Sequence, residues 1–106
     1  MSAVLRESYE RAGLDPALIG DIAVGNVCPP GGGANMARMA GFAAEIPYTT
    51  PVLTVNRQCS SGLAAVNQIA NQIRSGEIDI GIGELLFFSF VPTIPICVWL
   101  NCFPNN

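Results

Sequence analysis

Three short apolar runs, "DIAVGNV" (21–27), "PVLTVN" (51–56) and "IDIGIG" (78–83), alternate with two stretches of helical spacing, and this alternation limits the fold more than any other feature. The first spacer, residues 35–44, carries Met36, Met39, Ala40 and Ala43 on one stripe and ends before Pro47. That stripe suits core packing or a subunit contact better than a cofactor box. The second spacer, residues 62–74, places Leu63, Val66, Ile69, Ala70 and Ile73 opposite Asn67, Gln68, Asn71 and Gln72, and Ser75-Gly76 stops it. Strand, helix, strand, helix, strand in this order predicts an α/β fold with a parallel sheet. A further helix is expected over residues 2–12, with Val4, Leu5, Tyr9 and Ala12 on one side, Arg6, Glu7, Glu10 and Arg11 on the other, and Gly13 as its stop. Asp15-Pro16 then opens a short turn or helix.

Between the first strand and the first spacer stands "CPPGGGAN" (28–35), whose two prolines and three glycines break regular structure. A glycine-rich loop leading into a helix can hold an anion on its N–H groups. Here no Lys-Ser or Lys-Thr pair follows and no G-x-G-x-x-G spacing occurs, so a structural loop is the favoured reading.

Composition removes several functions. The 106 residues, half of them hydrophobic, suit one small domain or a piece of a larger one. A net charge of −3, from eight acids against five arginines, with no lysine and no basic run, predicts no nucleic-acid partner. The absence of histidine removes the commonest general base and metal ligand, so no metal site is expected. Cys28, Cys59, Cys97 and Cys102 are unevenly spaced and do not define a disulfide framework, and "SAVLRESYERAG" after Met1 lacks the apolar stretch of a secretory signal.

The candidate for chemistry is Cys59 in "TVNRQCSSGLAAVNQIA" (54–70), between a strand-type and a helix-type run. A cysteine attacks as its thiolate, and the amino end of a helix favours negative charge. The small residues Ser60, Ser61 and Gly62 would let an acyl chain or pantetheine arm approach, and the Cys59 N–H could help hold an oxyanion. The competing reading is a small buried side chain, as most free cysteines are. The residues alone leave both open, since no base is visible.

"VNRQCSSGLAAVNQIANQIRSGEIDIGIG" resembles the nucleophile region of thiolases, above all the degradative 3-ketoacyl-CoA thiolases of the peroxisomal kind. The preceding "DIAVGNV", "GGGANMARMAGFAAEIP" and "TPVLTVNRQCSSG" fall in that family's order, so the resemblance covers about residues 4–83. It implies a partial thiolase-like fold, part of the amino-terminal half of a layered αβαβα architecture. It implies that Cys59 carries an acyl group as a thioester during CoA-dependent cleavage of a 3-ketoacyl-CoA to acetyl-CoA and a shortened acyl-CoA. Coenzyme A is then a substrate rather than a bound cofactor, the parent enzyme a homo-oligomer, and the compartment the peroxisome. Arg38 and Arg57 are not assigned to CoA phosphates, because their positions suit structural or subunit contacts equally.

The family's later motifs, Asn-Glu-Ala-Phe, Gly-His-Pro and a second cysteine in Cys-x-Gly, do not occur in these residues. The expectation is therefore a truncated acyltransferase, inactive by itself, with residues 1–83 as a partial thiolase domain and 84–106 as a non-family apolar tail. The alternative is a non-catalytic fragment that associates with full-length thiolase, or a nonfunctional gene-model product. The tail "ELLFFSFVPTIPICVWLNCFPNN" has no charge from residue 85 to 103, close to a membrane span in length, although Pro92 and Pro95 interrupt it. It also admits an irregular strand pair with Cys97 and Cys102 inside. The favoured reading is a translated intron or frame error: Gly83-Glu84-Leu85 can be encoded GGT-GAG-TTA, which contains the intron-like start GTGAGT. Transcript sequence across codons 82 to 86 distinguishes these readings, and a mature transcript encoding "ELLFFSF" removes the splicing explanation.

Overall fold

A computed structural model of the protein describes residues 1–85, and the expectations for the tail beyond, including the apolar span and Cys97 and Cys102, lie outside the described residues. The first helix, α1 (Ser2–Arg11), turns Leu5, Ser8 and Tyr9 inward. It closes where expected: the Gly13 N–H donates to Glu10 O and the Leu14 N–H to Tyr9 O, each at 3.0 Å. Asp15 Oδ1 accepts from the Ala17 N–H at 2.9 Å and caps a 3-10 turn, Pro16–Leu18.

Strand β1 (Asp21–Gly25) is buried along its whole length. Alternation sends Ile22 and Val24 to one face, with Leu5, Tyr9, Ile19, Ala37, Ala44, Ile46 and Ile82, and Ala23 to the other, with Ala65 and Ile69. A central strand covered on both faces must read as an unbroken apolar run, which "IAV" does. Helix α2 (Ala34–Ala43) covers the first face and leads to β2 (Val52–Val55). Helix α3 (Ser61–Ser75) covers the second and leads to β3 (Gly81–Leu85). The sheet is parallel in the order β2-β1-β3, with Ile22 opposite Val52 and Ile82. The chain leaves β1 in one direction and then crosses back over it to reach β3. Two right-handed crossovers running in opposite directions require opposite faces, which is why α2 and α3 sandwich the sheet.

Three local expectations change. In α2 the inward stripe is Ala37 and Gly41, followed by Ala44, while Met36 and Met39 are 54% and 69% exposed. Small residues let the helix approach the sheet, and the bulky ones are left outside, so the core reading of these methionines does not hold. Strand β3 starts three residues later than the apolar run and continues to Leu85, because pairing begins where β1 begins, at Asp21 opposite Gly81. Ile78 packs instead against the α3 face. Helix α3 gains one residue at each end, and Gly76, at φ +74°, ends it in a left-handed conformation that a side chain would disfavour.

Candidate active site

Beyond β2 the chain makes one tight turn, Asn56 to Ser60, and enters α3. Asn56 opens it, its Nδ2 donating to Val27 O at 3.3 Å and its Oδ1 accepting from the Gln58 N–H at 3.0 Å. Gln58 stands at φ +50°, a left-handed conformation uncommon for a residue with a side chain. The Ser60 N–H and hydroxyl both donate to Arg57 O, at 3.1 and 2.9 Å. The Ser61 N–H donates to Gln58 O at 3.1 Å; its hydroxyl donates to the same oxygen at 2.6 Å and accepts from the Arg57 N–H at 2.8 Å.

This network presents Cys59 to solvent at the amino end of the 15-residue α3. The thiol is exposed, so the reading of Cys59 as a small buried side chain does not hold. Ser60 is exposed beside it, but Ser61 and Gly62 are buried beneath the turn and do not border an approaching ligand as their size suggested. What lies under them is β1: a Cβ built at Gly25 would stand 2.5 Å from the Ser61 carbonyl carbon and 2.6 Å from the Gly62 nitrogen. Only glycine at this strand end lets α3 start so close to the sheet.

The loop after β1 lies alongside. Asn26 is buried, its N–H donates to Val55 O at 2.9 Å and its Nδ2 to Gly32 O at 2.8 Å. Gly31, Gly32 and Gly33 all have positive φ, and Cys28 is exposed and free in the same loop. Both loops leave the carboxyl ends of the parallel strands, where open α/β sheets bind their ligands. Arg57 lines a shallow pocket of about 150 Å³ between β2 and α3, with Leu53, Val55, Ala64, Asn67 and Gln68. Arg38 is a clamp: its guanidinium donates to Thr50 O at 2.5 Å and to Tyr48 O, and lies 4.5 Å over the Phe42 ring. Among the described residues no three His, Cys, Asp or Glu side chains are grouped to hold a metal ion.

One polar group went unnoticed in the sequence. Glu84, opposite Val24 in β3, is 2% exposed, and among the described residues neither carboxyl oxygen has a hydrogen-bond partner. Burial pushes this carboxyl from 4.5 up to about 7, against the lowering pull of the Met1 amino group. Period-two spacing from Ile82 was the available signal, since it puts residue 84 on the same face.

The family profile described as the thiolase amino-terminal domain matches residues 1–84. The chain belongs to the thiolase family. It is 51% identical over 109 aligned positions to the peroxisomal 3-ketoacyl-CoA thiolase of Yarrowia lipolytica, an alignment that covers 100% of this chain and 26% of that thiolase. The dimeric peroxisomal thiolase of Saccharomyces cerevisiae superposes with a TM-score of 0.70 at 48% identity, over 77% of this chain and 22% of that one. A thiolase from Ascaris suum, solved in complex with coenzyme A, gives 0.74 at 27% identity, over 92% and 28%. The chain therefore spans about a quarter of the thiolases it matches, and its fold is part of the layered α/β thiolase fold.

Proposed function

We propose that this chain supplies the acyl-accepting turn of a thiolase that cleaves 3-ketoacyl-CoA, with Cys59 as the nucleophile. The observation that supports it best is the exposed thiol at the amino end of α3, at the carboxyl edge of the sheet. Cys59 sulfur attacks the 3-keto carbon, and the bond between carbons 2 and 3 breaks. Its electron pair stays on carbon 2, which takes a proton and departs as acetyl-CoA. The acyl group remains on sulfur as a thioester until the thiol of a second coenzyme A displaces it, losing its own proton and restoring Cys59 as the shortened acyl-CoA leaves. Splitting a carbon–carbon cleavage into two acyl transfers is the gain of covalent catalysis. The Cys59 N–H donates to the developing oxyanion.

Cleavage needs an acid that delivers the proton to carbon 2, and these 106 residues hold no histidine, whereas acetyl exchange between the Cys59 thiolate and acetyl-CoA makes no such demand. The chain alone is therefore expected to show no thiolysis of acetoacetyl-CoA; turnover by the purified chain that Cys59→Ser abolishes would overturn its inactivity. The coenzyme A complex of the Ascaris thiolase supports the substrate, and the Yarrowia and Saccharomyces relatives support a peroxisomal compartment and a homo-oligomeric parent.

A second reading, a non-catalytic fragment that pairs with a full-length thiolase, draws on the half-exposed β2, which among the described residues pairs with β1 alone, and on exposed Met36, Met39 and Phe42. Size-exclusion chromatography with a full-length relative checks it: co-elution in a defined complex is its expected result, and separate peaks dismiss it.

A further inference from the structure

We infer that Ser61 is a positioning residue for Cys59, acting through the left-handed turn at Gln58; this rests on the reading of Cys59 as nucleophile. The Ser61 side chain is fully buried, so it meets no substrate. Its hydroxyl accepts from the Arg57 N–H at 2.8 Å and donates to Gln58 O at 2.6 Å, thereby tying the peptide group before Arg57 to the one after Gln58, across the two residues that precede the thiol. Gln58 is the residue immediately before the thiol, and its φ of +50° is one that an unsupported side-chain-bearing residue leaves for the ordinary negative region. A change there swings the following residue, Cys59, away from the start of α3. Ser60 bonds only to Arg57 O, on the single peptide between Arg57 and Gln58, and so does not tie the two ends of that pair together.

Cys28, exposed and free in the neighbouring loop, provides an internal reference. In the full 106-residue chain, the iodoacetamide alkylation rates of Cys59 and Cys28 are read on their separate peptides, alongside acetyl transfer from acetyl-CoA. Ser61→Ala is expected to lower the Cys59:Cys28 rate ratio by about tenfold, the upper end of the range for losing a neutral buried hydrogen bond. Adding Gln58→Gly, which adopts the left-handed turn unaided, is expected to restore the ratio; a purely structural role for the hydroxyl gives no such rescue.

An unchanged ratio in folded Ser61→Ala overturns the inference, as does a lowered ratio that Gln58→Gly fails to restore. Should Ser61→Ala not fold, the double variant decides: folded with the parent ratio it supports the inference, and unfolded or with a lowered ratio it overturns it. Absent acetyl transfer to parental Cys59, with the alkylation pattern intact, removes the acyl-acceptor reading and leaves the positioning role standing.

Discussion

Gly25→Ala is expected to lower the unfolding free energy by roughly 3 kcal/mol, the upper part of the range for overpacking a filled interior. The new methyl would meet Ser61 and Gly62 backbone at 2.5 to 2.6 Å, and backbone cannot rotate aside as the end of a long side chain can. Either α3 lifts from the sheet or β1 bends, and both displace the turn that carries Cys59. Urea unfolding followed by circular dichroism measures the loss, and a change under about 0.5 kcal/mol, ordinary for a surface site, would show that α3 does not rest on Gly25 as described. The same variant is expected to lower Cys59 alkylation more than Cys28 alkylation, because the clash is centred on the first residues of α3.

The second large effect is on pH. Glu84 has a folded value of about 7 against an ordinary 4.5, so the folded chain binds this proton more tightly than the unfolded one. A raised value places the stabilisation below about pH 4.5 and removes it as pH rises through about 7. The loss across that window is roughly 3 kcal/mol. Glu84→Gln keeps the shape without the ionisation, and is expected to flatten the profile and to exceed the parent's stability at pH 8 by a similar amount. Urea midpoints from pH 4.5 to 8 provide the check: stability that rises over this interval, or a Glu84→Gln profile as steep as the parent's, contradicts the assignment of a buried carboxyl held protonated by its surroundings.

The strand and helix order was readable because each element carries its own period and its own stop, as Gly13 and Gly76 show at the ends of α1 and α3. The position of Cys59 was readable for the same reason: it falls where "VLTV" gives way to the α3 pattern. What failed depends on contacts between distant segments. Hydropathy ranks methionine above alanine, yet close approach of α2 to the sheet selects Ala37 and Gly41 for the interior and leaves Met36 and Met39 outside. The start of β3 is set by β1 at Asp21 rather than by its own apolar residues. Ser60 and Ser61 look interchangeable in the sequence, but Gly25 beneath the turn admits α3 so closely that Ser61 is buried while Ser60 stays at the surface. The φ of Gln58 leaves no mark in the sequence at all, because the neighbours that hold it are ordinary residues.

The central claim is that Cys59 accepts the acyl group. Incubating the 106-residue chain with acetyl-CoA and reading its cysteine-containing peptides by mass spectrometry tests it most directly. The expected result is an acetyl adduct on Cys59 that hydroxylamine removes, as it does a thioester, with Cys28 unmodified and Cys59→Ser free of label. Equal labelling of Cys28 and Cys59, or label that persists in Cys59→Ser, would contradict it.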